Sequence, residues 1–516
     1  MKKFLFLLFS ICFFALYANA EISVTPYGAA QSVSGSCFLV DADGEKALVD
    51  CGLFMDNDGE SGSSKGDLNA DMPKELTNAG FLVLTHAHLD HCGRVPLLVS
   101  AGFNGKIYST RATKELALSL FMDRYGFDII ERKWFWSESQ RIKSQNSNST
   151  AVAHWNERCN ENIKSVEYSS SAITLRDLSK SNNVKFLACK NCCASEVEKI
   201  DAMFEVVQYD ADIDVSENIK IKLINAGHIP GSASVMLNIK GKKILFSGDL
   251  GSGYSRLNGE FKIPEKADLV FMEATYYEDK AGMSFTDYDN FQNDIEKAVK
   301  DGKIIWIPAL SFNRTQKVLY ELKLMQNNGK LSKEFPIYSV SPSANNITEI
   351  YQKELKSKEG GWFLDEIYKE GSLLPVNVNL KKAASFDKPM ILISSSGDMD
   401  KGMSERLLPA MISKKNLFIM IVNYVSPASP AGQLLSGRNK VKGIKSNAAI
   451  KKYDIFSDHA GFNMLQKWLL KQNKKTGLYI IHSSSDNSAK AEAALKKLGW
   501  KNVSAAVLKE KAVLRK

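Results

Sequence analysis

Three histidines and an aspartate fall within six residues, in Thr85-His86-Ala87-His88-Leu89-Asp90-His91, although the chain of 516 residues has only seven histidines. Imidazole nitrogen and carboxylate oxygen are the donors that borderline-soft divalent ions take, at about 2.0–2.2 Å. Crowding them in this way serves no packing purpose, and without a cation the polar atoms are poorly satisfied. Three further residues are placed to join them. His228 sits in the turn-rich Asn225-Ala226-Gly227-His228-Ile229-Pro230-Gly231, Asp249 in Phe246-Ser247-Gly248-Asp249-Leu250-Gly251, and Asp50 in Ala47-Leu48-Val49-Asp50-Cys51-Gly52.

Each of these residues follows a short apolar run. Runs rich in β-branched and aromatic residues recur at Ala47–Asp50, Phe81–Thr85, Lys106–Thr110, Ile219–Ala226, Lys243–Gly248 and Leu269–Glu273. They resume at Lys303–Ala309, Pro336–Val340, Met390–Ser394, Leu417–Asn423 and Leu478–His482. Helical periodicity appears between several of them, at Thr315–Met325, Phe462–Gln472 and Asn487–Leu498. The alternation predicts an α/β architecture. No internal repeat or low-complexity tract interrupts it. Asp123–Ile219 departs from the pattern: it is rich in Ser, Asn and Lys, carries four cysteines, and reads as a long insertion. Asp56–Gly66 reads as a short flexible loop.

The composition, 44% hydrophobic and 24% charged with 33 Gly and 13 Pro, excludes a disordered chain, a collagen-like repeat and a polytopic membrane protein. Lys2 and Lys3, the uncharged run Phe4–Tyr17 and Ala18-Asn19-Ala20 have the layout of a secretory signal peptide, with cleavage before Glu21. Its loss leaves 65 basic against 58 acidic residues, a net +7 that permits a polyanionic substrate without requiring one.

The histidine constellation resembles the metallo-β-lactamase fold, and the downstream segments resemble its β-CASP branch of RNA-processing hydrolases. Those segments are Phe271–Tyr276, Ile307–Phe312, Ser395-Ser396-Gly397, Leu434–Gly437, Phe456-Ser457-Asp458-His459-Ala460 and Ile480-Ile481-His482. Every histidine except His154 falls on a position that matches a metal or catalytic position of the family.

The resemblance implies a metallo-β-lactamase αββα sandwich interrupted by an inserted β-CASP α/β cap. The sandwich would comprise residues 21–274 and 416–516, the cap residues 275–415, and a cleft between them would take a single-stranded nucleic acid. The resemblance also implies two zinc ions, with manganese as an alternative. His86, His88 and His228 would hold one ion, Asp90, His91 and His482 the other, with Asp249 bridging and Asp50 orienting the ligands from behind. Such a pair lowers the pKa of water and neutralises charge on a phosphoryl group. His459 matches the family's proton donor to the leaving oxygen, with Glu273 as the carboxylate that keeps it protonated.

Ser395, Ser396 and Gly397 would receive a phosphate, whereas Arg314 reads as a solvated arginine, with a backbone-phosphate contact as its alternative. The expected activity is hydrolysis of phosphodiester bonds in single-stranded RNA. The alternatives are an exported hydrolase acting on DNA, nucleotides or another ester, and a non-enzymatic nucleic-acid-binding module.

Two departures from the family pattern bear on the residues around the site. Ser483-Ser484-Ser485 stands where Gly-Glu is common, and Gly461 where Asp is common. Cys37, Cys51 and Cys92 read as small core residues. Cys159, Cys189, Cys192 and Cys193 are expected to form one or two disulfides after export, with a structural zinc as the alternative.

Overall fold

A computed structural model describes residues 21–55, 68–69, 72–131, 197–253, 260–277, 285–355, 385–456 and 458–514. The leader, the Asp56–Gly66 loop apart from its flanks, and the four cysteines of the insertion lie outside the described residues.

Two seven-stranded sheets face each other. The first runs in the order Ala512–Leu514, Ile22–Pro26, Phe38–Ala42, Glu45–Val49, Phe81–Val83, Lys106–Ser109, Phe204–Val206. The second runs Asn502–Ala505, Gly477–Ile481, Leu269–Glu273, Lys242–Phe246, Ala233–Ile239, Ile219–Asn225, Ile213–Asp214. Side chains alternate across each strand, so one set of residues from each sheet meets in the middle. There Val40, Val49 and Val83 pack with Val235, Phe246 and Phe271, and Phe38 lies 5.5 Å from Phe246 between ring centres. Helices cover the outer faces: Val95–Ser100 and Arg111–Glu131 on the first sheet, Phe462–Trp468 and Ser485–Lys497 on the second. Among the described residues, no helix is long and apolar enough to cross a membrane.

A third sheet forms the cap, in the order Ile337–Ser339, Met390–Ser394, Ile304–Pro308, Leu417–Ile421, Ala449–Lys452, parallel throughout. Helices shield both faces, so the central strands read as unbroken apolar runs rather than alternating ones. Trp306, fully buried, donates Nε1 to Ser394 Oγ at 2.8 Å and joins the two central strands. The outer face of the first sheet and one face of the cap share a continuous core, in which Leu48 and Leu82 belong to the same cluster as Ile305 and Ile391.

The pairing moves two expected boundaries. Leu417–Ile421 pairs with Ile304–Pro308, and Ala449–Lys452 pairs with Leu417–Ile421. The cap sheet therefore extends to residue 452 instead of ending at 415. The expected insertion is also shorter at its far end, because Phe204–Val206 closes the first sheet and Ile213–Asp214 the second.

The parallel strands deliver the site. Asp50, the His86–His91 loop, Asp249, Glu273 and His482 all lie at or just beyond the carboxyl ends of strands in the two facing sheets.

Candidate metal and catalytic centre

The loop that presents the histidine motif is pinned from both sides. Ser36 N donates to Asp90 O and Cys51 N to His91 O, each at 2.8 Å. Gly52 is needed there, since a Cβ would stand 1.6 Å from Asp90 O. Asp50 leaves its strand at φ +61° and turns its carboxylate under the motif. Oδ1 accepts from Thr85 N at 2.8 Å, while Oδ2 accepts from Thr85 Oγ1 at 2.8 Å and pairs with His91 Nδ1 at 2.7 Å.

Two donor groups result. His86 Nε2 and His228 Nε2 each lie 3.1 Å from His88 Nδ1, and 3.4 and 3.5 Å from Asp249 Oδ2. On the other side of the same carboxylate, Asp249 Oδ1 lies 3.2 Å from His91 Nε2, and His482 Nε2 lies 3.3 Å from Asp90 Oδ2. The donor atoms of His86, His88, His228 and Asp249 lie within 4.8 Å of one another, as do those of Asp90, His91 and His482, and Asp249 and His482 make a further such set with Glu273 and His459. The opposite ring nitrogens are tied down. His86 Nδ1 faces Thr85 Oγ1 at 3.0 Å, His228 Nδ1 donates to Asp458 O at 2.9 Å, and Thr275 Oγ1 stands 2.9 Å from His482 Nδ1. This outer anchoring fixes which nitrogen of each ring is left for a ligand bond.

The donor set fits divalent metals, and the structure carries an independent mark of it. His91 Nε2 and Asp249 Oδ1 are buried and have no hydrogen-bond partner. Two facing orphan acceptors of this kind are costly in a protein interior unless a cation joins them.

The electrostatics agree. Burial, reinforced by neighbouring imidazoles, pushes His88 down to about 3 and His228 down to about 4, so both rings are neutral and available as ligands. Burial likewise drives His86 well below its ordinary value. Burial acts in the same sense on His91 and His482, but Asp249 above all outweighs it and raises both rings above their ordinary value. The pull of the buried Asp249 carboxylate toward positive charge is one that a metal ion would meet.

His459 stands beside this cluster. Its Nδ1 lies 3.1 and 3.2 Å from the two oxygens of Glu273, a fully buried carboxylate that also accepts from Leu250 N and Thr275 Oγ1 at 2.6 Å each. Burial opposes the charged ring, but Glu273 and then Asp249 overcome it and raise His459 to about 9. The short bridge between Gly251 and His459, with Ala460 N donating to Leu250 O at 2.8 Å, ties His459 to the loop of Asp249. Gly251 permits this approach, since a Cβ there would meet Gly227 O at 1.9 Å.

Ser395, Ser396 and Gly397 lie beyond the carboxyl end of Met390–Ser394, in contact with other cap loops rather than with the histidines. Ser395 N donates to Ser341 Oγ at 2.8 Å, Ser396 Oγ to Asp400 Oδ1 at 3.0 Å, and Gly397 packs against the Asn423 amide. The loop after Ile304–Pro308 reaches the histidines directly, with the Phe312 ring 4.9 Å from that of His88. Arg314 is neither solvated nor free for a phosphate. It is largely buried, donating Nη1 to Val422 O and Nη2 to Asp458.

The two departures have structural roles. Ser484 caps the helix Ser485–Lys497, Ser483 Oγ donates to Ala274 O at 2.8 Å, and Gly461 forms the N-cap of Phe462–Trp468. Thr85, Thr275, Phe312 and Asp458 were not singled out from sequence. Each stands next to or within a motif that was, which is the only signal the sequence carries for them.

Comparison with known proteins places this geometry. Residues 31–153 match the model of the metallo-beta-lactamase superfamily, 315–434 the Beta-Casp domain, and 443–505 the Zn-dependent metallo-hydrolase RNA specificity domain. Ribonuclease TTHA0252 of Thermus thermophilus is 24% identical over 86% of this chain and 90% of its own length. An RNase J-like protein of Methanocaldococcus jannaschii is 25% identical over 88% of this chain and 91% of its own. Cleavage and polyadenylation specificity factor 73 of Drosophila melanogaster is 23% identical over 92% of this chain, which spans 62% of that protein. A crystal structure of a protein of unknown function from Enterococcus faecalis V583 shares the fold, with a TM-score of 0.50 at 13% identity over 96% of this chain and all of that one.

Proposed function

Because the chain belongs to the β-CASP branch of the metallo-β-lactamase superfamily and is a metal-dependent hydrolase, we propose that it cleaves phosphodiester bonds in single-stranded RNA, using two zinc ions and His459 as general acid. The observation that carries this reading is the division of labour at Asp249, whose two oxygens face two separate donor groups. His86, His88 and His228 would hold one ion, and Asp90, His91 and His482 the other, with Asp249 shared between them. When bound, such ions activate water and neutralise charge on a phosphoryl group.

The chain's own residues do the rest. Asp50 and Thr85 hold His91 and His86 in the ligand tautomer. Glu273 engages His459 Nδ1, which leaves Nε2 as the nitrogen that delivers a proton to the departing oxygen. The Ser395–Gly397 loop and Phe312 lie at the carboxyl ends of parallel cap strands, the position at which open parallel sheets receive ligands. RNA as substrate is supported by the names of the two bacterial and archaeal relatives and by the RNA specificity domain matched at 443–505. The signal-peptide layout of residues 1–20 supports an activity outside the cytoplasm and also favours a second reading, in which the exported enzyme meets DNA, nucleotides or another ester.

Paired substitutions test the assignment. His88→Ala should lose both bound metal and RNA cleavage. His459→Ala should keep the metal and lose about 10²- to 10⁴-fold in rate, the usual worth of a general acid. Metal loss in His459→Ala, or undiminished cleavage by it, contradicts the assigned role.

A further inference from the structure

We propose that Asp458 is a positioning residue that makes the geometry of the histidine site depend on the docked cap. This inference rests on the metal-site reading above, but not on RNA being the substrate.

Asp458 faces two ways. Its backbone carbonyl accepts from His228 Nδ1 at 2.9 Å, so the placement of this one peptide decides how His228 presents Nε2 to the site. Its carboxylate meets three donors from the start of a cap helix: Asn313 Nδ2 at 2.7 Å, Arg314 Nη2 at 3.3 Å, and Lys317 Nζ. The ion pairs are nearly dry, with side-chain exposures of 12% for Asp458, 12% for Arg314 and 8% for Lys317. Exposed pairs contribute little, whereas removing one member of a sequestered pair leaves an uncompensated charge.

The same cap loop also touches the site through Phe312 on His88. Arg314 is anchored in turn to Val422 O and Asn313 to Tyr351, so the clasp is continuous with the cap's own framework. If the cap shifts, the carboxylate follows the cations and the peptide that holds His228 moves with it. His459, the next residue, moves as well. Neither a solvent-exposed ion pair nor an ordinary packing contact would link the two bodies through a metal-ligand hydrogen bond.

Lys353 provides the internal control. It forms another ion pair between the cap and the first sheet's helix, to Glu115 at 2.7 Å, without bonding any site residue.

The test is cobalt binding to the full-length mature chain, followed by its visible absorption and by competition with a metal buffer. Asp458→Asn should weaken cobalt affinity by about 10- to 100-fold, the usual effect of losing an outer partner of a metal ligand, and should alter the absorption bands. Lys317→Met should change both in the same direction, and the double variant should be less than additive. Lys353→Met should leave both at wild-type values.

Retention of wild-type affinity and spectrum by Asp458→Asn and Lys317→Met overturns the proposal, as does an equal loss in Lys353→Met. Should Asp458→Asn fail to fold, Lys317→Met decides alone. A wild-type chain that binds no cobalt overturns this proposal together with the metal-site reading. Failure to cleave RNA while cobalt binds overturns only the substrate assignment.

Discussion

Replacing Glu273 with glutamine should move the alkaline limit of the reaction down, by up to about two pH units. His459 Nδ1 lies 3.1 and 3.2 Å from the Glu273 oxygens, and the ring is raised from 6.5 to about 9 although burial alone would lower it. That interval corresponds to about 3 kcal/mol in favour of the imidazolium. Glu273 makes the largest contribution to raising the ring and Asp249 a further one. Glutamine preserves the volume and removes the charge, so the largest opposition to burial is lost and the ring falls back toward its ordinary 6.5.

A general acid acts in its protonated form, so the rate is full below its pKa and falls above it. At pH 8 a full return to 6.5 would drop the protonated fraction from about nine-tenths to about one-thirtieth, so the loss reaches at most about 30-fold, against under about twofold at pH 6. The assay is kcat/KM on a fluorescent single-stranded RNA between pH 5.5 and pH 10, with bound metal measured at each point. An alkaline limb that stays in place in Glu273→Gln, or a loss equal at all pH values, would refute the role given to this pair.

Asp50→Asn replaces a carboxylate that serves Thr85 N, Thr85 Oγ1 and His91 Nδ1. It should cost about 1–3 kcal/mol in denaturant unfolding and weaken metal binding about 10- to 100-fold. Gly251→Ala drives a methyl group against Gly227 O at 1.9 Å, so the Asp249 loop should shift and metal content should fall. Gly80→Ala, with its nearest contact at 3.5 Å, should bind metal normally. Protein recovered after export should begin at Glu21, and without reductant it should titrate three or five of its seven thiols, according to whether two disulfides or one join Cys159, Cys189, Cys192 and Cys193. Seven titratable thiols in the metal-free native protein contradict the disulfide reading.

The sequence showed the site more clearly than the fold around it. Metal donors must follow strand ends in turns, and that combination is visible locally at His86–His91, His228 and Asp249. The pairing of His459 with Glu273 is not local. It spans 186 positions and depends on the bridge that holds His459 beside Gly251, next to the Leu250 amide that Glu273 also accepts from, so only the family resemblance joins the two residues in the sequence.

The far edge of the cap sheet is hard to read from the sequence for a physical reason. Ala449–Lys452 is a sheet edge with alternating exposed positions and two lysines, so it lacks the apolar run that marks a buried strand. Phe204–Val206 and Ile213–Asp214 are equally inconspicuous, short edges with exposed residues. A cation at a helix start, such as Arg314, looks solvated in the sequence because its partner, Asp458, lies 144 positions away.

The most direct test of the central claim is the cleavage of labelled single-stranded RNA, single-stranded DNA and a small phosphodiester by the mature chain loaded with zinc or manganese. We expect RNA to be cut fastest, with cleavage abolished by a chelator and restored by adding the metal back. A protein that holds two ions per chain and leaves the RNA intact would contradict the claim.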